Sequence, residues 1–115
     1  MKIKQILKEY NGINLTVLTL CSGTFVALLD DIADGSNSIS SYIYQRWWEV
    51  QDGVDNVMDF AHKADIPIAY GKSMPTAINR LNEYFKNLTD DEALACINRV
   101  CKLSNRLSEG NAPFD

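Results

Sequence analysis

Apolar residues in the C-terminal half of the chain recur at helical spacing. Met74, Ala77, Ile78, Leu81, Tyr84, Phe85 and Leu88 follow steps of three and four, which predicts a helix over 75–88. Ser73-Met74-Pro75-Thr76 opens it, because a proline in the first turn gives up only an amide that would go unpaired. A second stripe, Ala93, Leu94, Ile97, Val100, Cys101 and Leu107, predicts a helix over 90–108. Thr89-Asp90-Asp91-Glu92 reads as its capping box, with acids at the positive end of the helix dipole. Arg99, Lys102 and Arg106 gather toward the other end, and Gly110 is a natural stop before a loose tail over 111–115.

In the middle of the chain Ile43, Trp47, Val50, Val54, Val57 and Ala61 are spaced 4, 3, 4, 3 and 4, a heptad seam that predicts helix over 38–65. Gly53 costs about 1 kcal/mol relative to alanine inside that helix and is the place where it would bend or split. Asp65-Ile66-Pro67 ends it, since the residue before a proline is pushed out of the helical region. Residues 68–72 then read as a loop.

Residues 13–34 support two readings. As helix, Leu18, Cys21, Phe25, Leu28 and Ile32 are spaced 3, 4, 3 and 4, with Asp34-Gly35 as a stop. As a hairpin, Ile13–Leu20 and Thr24–Leu29 are strands around Cys21-Ser22-Gly23, and the β-branched, Thr-rich start suits a strand. The acid-rich run from Ala27 to Asp34 favours helix over 22–34, and 13–21 is taken with it. Lys2–Glu9 reads as a short amphipathic helix closed by Asn11-Gly12. The expectation is therefore a mainly α single domain over 1–110. It is an antiparallel bundle of about four main helices plus the short N-terminal one. The alternative is an α+β fold with a hairpin at 13–29.

Composition narrows the function classes. The chain has 115 residues, 46% hydrophobic, enough for one domain with its own core. Its net charge is −4, and residues 1–52, 53–89 and 90–115 carry −2, 0 and −2, so no basic face emerges for general nucleic-acid binding. No apolar run reaches the roughly 18–20 residues of a membrane span. Cys21, Cys96 and Cys101 form neither a disulfide framework nor a zinc pattern, which suggests buried thiols in a reducing, cytoplasmic setting. A lipid-attachment signal ending at Cys21 is the rival. It is weakened by Leu20 where a small residue is wanted, by Glu9 in the leader, and by polar Asn14, Thr16 and Thr19.

Candidate chemistry is thin. His62, the single histidine, lies between Asp59 and Asp65 and could be a general base, although a surface histidine is the more ordinary reading. Asp31 with Asp34, or Asp55 with Asp59, could hold a hard cation, and Asp30 and Asp52 add to the acidic clusters. Solvated acidic faces are far commoner. One histidine cannot supply the paired Glu-x-x-His of a carboxylate-bridged di-iron bundle. Gly71-Lys72-Ser73 echoes the end of a phosphate loop but lacks its upstream glycine. No catalytic residue, metal ligand or cofactor is assigned.

The strongest local enrichment is Tyr42-Ile43-Tyr44-Gln45-Arg46-Trp47-Trp48. Trp47 falls on the heptad seam and reads as core. Tyr44 and Trp48, at i and i+4 with Arg46 close by, are the candidate partner-binding residues, because Tyr, Trp and Arg dominate interface energetics. The competing reading makes both tryptophans core filler. Residues 73–110, with Ala77-Ile78-Asn79-Arg80-Leu81 followed by a second amphipathic helix, resemble four-helix immunity proteins against class II bacteriocins over about a third of the chain. The resemblance transfers no functional residue. The leading expectation is a non-enzymatic, cytoplasmic protein acting through contact with a protein partner or by self-association, a homodimer included. An inhibitor or immunity role of phage or mobile-element origin fits that expectation. A small enzyme or metal-binding protein using the Asp clusters and His62 is the alternative.

Overall fold

Residues 13–31 form a β-hairpin, and this overturns the all-α helical bundle. The computed structural model describes residues 2–32 and 37–114. In chain order it has α1 (Ile3–Glu9), β1 (Ile13–Thr19), β2 (Phe25–Asp31), α2 (Ser38–Trp47), α3 (Gly53–Ala64), β3 (Ile68–Gly71), α4 (Met74–Lys86) and α5 (Asp90–Ser108). The strands make one antiparallel sheet in the order β1-β2-β3. The architecture is α+β, and the four-helix resemblance of 73–110 does not extend to the fold.

The misreading has a physical cause. Val26, Ala27, Leu28, Leu29 and Asp30 are all buried, because β2 is the central strand with helices on both faces. Such a strand shows a continuous apolar run instead of alternation, and a run of that kind also satisfies helical spacing. Antiparallel partners share a face, so the two faces can be assigned. Asp30 bonds to α2, which places Val26, Leu28 and Asp30 on the side of α2. Leu15, the partner of Leu29, lines a groove with residues of α1 and α4, which places Ala27 and Leu29 on that side. α5 packs on α2 and β2, and α3 on α2 and β3.

Asp30 is the pivot of the first face. Its side chain is fully buried, and its Oδ2 accepts from the Ser40 amide (2.8 Å) and hydroxyl (2.8 Å). Its Oδ1 accepts from the amides of Asp31 (2.9 Å) and Ile39 (3.3 Å). The first turn of α2 thus receives its cap from a strand, while the side chain of Asn37, the residue before the helix, makes no capping bond. Burial pushes the Asp30 carboxyl above its ordinary 3.8, and the bonds from Ser40, Asp31 and Ile39 pull it partly back.

The heptad seam breaks where Gly53 allows it to. α2 ends at Trp47 and α3 starts at Gly53, so Val50 lies in the connection and is exposed. A Cβ on Gly53 would run into the Trp47 carbonyl oxygen, so the tight turn between the helices requires glycine there. α4 and α5 follow their sequence signals closely. The Ser73 hydroxyl accepts from the Thr76 amide (3.2 Å), and Thr89 and Glu92 complete a reciprocal capping box at 3.2 and 3.0 Å. The proposed stop at Asp34-Gly35 lies outside the described residues.

Residues 68–71, read as loop, are the short edge strand β3. The thiols also differ from expectation. Cys96 is buried and Cys101 half-buried, but Cys21 is exposed because it sits in the hairpin turn. The end of the chain folds back: Arg106 donates to the Ala112 carbonyl (2.9 Å), and Phe114 packs on Phe60 with ring centroids 5.8 Å apart.

Candidate interaction surface

The aromatic cluster of α2 divides into two stripes. Tyr42 and Trp47 turn toward α3, with ring centroids 5.2 and 5.7 Å from Phe60, and Trp47 is half-buried against the core. Tyr44 and Trp48, one helical turn apart, stack at 5.4 Å with an interplanar angle of 9°. Tyr44 is 42% exposed and Trp48 half-buried. Arg46 joins the other stripe. Its guanidinium lies 3.5 Å above the Tyr42 ring and its Nη1 donates to the Tyr42 carbonyl (3.4 Å), a cation–π contact at i−4. The structure therefore brings Tyr44 and Trp48 together and places Arg46 beside them, over a separate polar cleft shared with residues 110–113.

Tyr44 overlooks β1. Thr16 and Leu18 of that strand form a shallow groove of about 380 Å³ with Ser40, Ser41, Tyr44 and Gln45 of α2. The far end of α2 is tied to the hairpin turn, since the Cys21 amide donates to the Trp48 carbonyl at 2.8 Å. The aromatic pair thus stands as a shoulder above an edge strand.

The state of that edge follows from the ladder. Ile32 donates to the Gly12 carbonyl (2.7 Å) and Leu20 to the Thr24 carbonyl (2.9 Å). With Ile13 opposite Asp31, these bonds make the even positions of β1 the ones that face β2. The backbone groups of Leu15, Val17 and Thr19 consequently point outward. The strand, Ile-Asn-Leu-Thr-Val-Leu-Thr, has no charged residue and no proline, the usual devices that blunt an edge. The opposite edge is different. β3 has four residues, and the outward carbonyl of Tyr70 accepts from Arg80 Nη1 at 2.8 Å.

The remaining candidates are dispersed. His62 is exposed and lines a cleft with Met58, Asp65 and Tyr84. Beneath it the Cys96 sulfur accepts from Arg99 (3.1 Å), with the Tyr84 hydroxyl 4.0 Å away, and Arg99 also donates to the Asp65 carbonyl (2.7 Å). Burial and then Cys96 push the Tyr84 hydroxyl up. Asp65 adopts the left-handed conformation at the end of α3 (φ 54°), which aspartate tolerates better than most residues. Of the acidic residues, Asp30 is a helix cap, Asp31 lies beside Cys101, and Asp52, Asp55 and Asp59 are exposed. Asp34 lies outside the described residues. Among the described residues no three His, Cys, Asp or Glu side chains are grouped to hold a metal ion, and no helix is long and apolar enough to cross a membrane.

The chain matches no protein family, no curated protein and no solved structure. Its function is therefore argued from its own surface. The open edge of β1 is the feature that sequence reasoning missed. Its signal is the β-branched, Thr-rich run Ile13–Thr19, which supports the hairpin alternative.

Proposed function

We propose that this protein acts by protein–protein contact, through the outer edge of β1 and the Tyr44–Trp48 shoulder above it, with Arg46 at the margin. The observation that carries the reading is a seven-residue, uncharged edge strand flanked by a groove that the exposed Tyr44 lines, with half-buried Trp48 stacked on Tyr44. Edge strands bind by donating and accepting main-chain hydrogen bonds, while flanking pockets select side chains. Such a surface needs no reactive group. It can occupy a partner's surface and block it, as an inhibitor or immunity protein does. Three unbridged cysteines, one of them exposed, support a reducing, cytoplasmic setting.

The test is affinity capture from source cells, followed by reconstitution with the purified captured protein. Tyr44→Ala and Trp48→Ala should abolish the reconstituted complex while leaving the fold intact. Undiminished binding by both variants would remove the shoulder from the reading. A second reading has one observation behind it, the convergence of His62, Asp65 and Tyr84 on one cleft above Cys96. His62→Ala, screened for loss of a hydrolytic or transfer activity, is its discriminating experiment.

A further inference from the structure

We propose that the outer edge of β1 pairs with the same edge of a second copy, antiparallel about a twofold axis through Thr16, joining two sheets into one. The inference rests on the reading that β1 is a contact surface and names its occupant.

The chain is acidic, with a net charge of −4, yet β1 and the groove residues Thr16, Leu18, Ser40, Ser41, Tyr44 and Gln45 carry no charge. On the α2 side a basic or acidic peptide finds no counterion, while the groove beside Leu15 on the α1 side holds Lys2, Lys4, Lys86 and Glu83. A strand that matches this edge is itself uncharged and of similar length, and β1 is such a strand. Within the strands themselves, two copies place no like charges opposite one another.

With Thr16 opposite Thr16, Leu15 faces Val17 of the second copy and Ile13 faces Thr19. The groups that point outward in the single chain then meet as hydrogen-bonded pairs, giving about four to six new main-chain bonds. Leu15 and Val17 of both copies meet on the α1 side, and the two Thr16 hydroxyls meet on the α2 side. Asn14, opposite Leu18, already has partners in Thr16 (3.2 Å) and Asn37 (3.3 Å), so the pairing strands no amide.

The other edge of the sheet is four residues long and Arg80 occupies its Tyr70 carbonyl. A head-to-tail contact between β1 and β3 would be shorter than β1 with β1 and would have to displace Arg80. The assembly ends at two copies and does not grow into a filament.

Sedimentation equilibrium from micromolar to millimolar concentration tests the proposal. The wild type should reach twice the chain mass. Thr16→Lys and Thr16→Glu each put like charges at the axis, so each alone should weaken association at least tenfold. An equimolar mixture should recover dimer, a rescue that only the twofold register explains. If position 16 does not tolerate a charge, Val17→Pro serves instead, since it removes an outward amide that makes no bond within the sheet, and it should sediment as a monomer. A wild type that stays monomeric throughout, or variants that all remain dimers, would overturn the proposal. If the wild type is monomeric but Trp48→Ala still abolishes a reconstituted complex with a foreign protein, the dimer falls and the contact reading stands. If neither association occurs, both fall.

Discussion

A carboxylate with no exposure at the centre of a sheet is costly unless every oxygen is bonded, and Asp30 has four donors within 3.3 Å. Asp30→Asn must turn an NH₂ toward an N–H whichever way its amide lies, so it should cost about 1–3 kcal/mol at neutral pH. The pH dependence has a definite sign. The folded-state value lies above the ordinary 3.8, so the folded chain binds this proton more tightly than the unfolded one. The contribution of Asp30 is then full below about 3.8 and is lost as pH rises through the raised folded value. Urea titrations of both proteins should show the wild-type advantage shrinking across that window and flat above it. The thiols separate by the same logic of burial. The Cys101 thiol is pushed up to about 11 by burial and then by Asp31, and Cys96 is buried, whereas Cys21 lies in the open turn. Maleimide labelling at pH 7 should modify Cys21 within minutes and the other two only on unfolding. None of the roles of Asp30, Asp31 or Cys21 is readable locally, because each depends on a strand pairing or a contact far along the chain.

Elements whose signals are local are the ones the amino-acid pattern discloses. α4 and α5 each pair a one-sided apolar stripe with a side-chain cap, and both begin within a residue of where those signals put them. β2 carries no such mark, since burial on both faces erases its alternation. The seam of 38–65 continues in spacing across residues 48–52, where the backbone turns, and Gly53 is the only local trace of the break. Gly53→Ala should therefore lower stability by about 1–3 kcal/mol, despite the better helix propensity of alanine, because its Cβ meets the Trp47 carbonyl. Thermal melts that show stabilisation instead would refute the close approach. Within α2, the i, i+4 spacing correctly paired Tyr44 with Trp48, whereas the stacking of Arg46 on Tyr42 depends on a side-chain choice that spacing does not encode. The two stripes should respond differently. Trp47→Ala removes rings packed on Tyr42 and Phe60 and should cost about 2–4 kcal/mol, while Trp48→Ala should cost about 1 kcal/mol in the isolated chain. Equal, severe losses would make both tryptophans core residues and empty the shoulder of functional meaning.

At the scale of the molecule and among the described residues, helices cover both faces of the sheet and Arg80 holds the Tyr70 carbonyl on the β3 edge, while the longer edge of β1 is open. The hairpin alternative at 13–29 contained this strand, but the continuous apolar run of β2 favoured helix, and that β1 is an edge came into view only with the fold. Its availability can be read amide by amide. Hydrogen exchange followed by NMR should show alternation along β1 at high dilution, with Asn14, Thr16 and Leu18 protected by β2 and Leu15, Val17 and Thr19 exchanging freely. As concentration rises, the odd-numbered amides should gain protection until all six exchange slowly. Odd-numbered amides that exchange freely at every concentration, or are already protected at the highest dilution, would contradict the account.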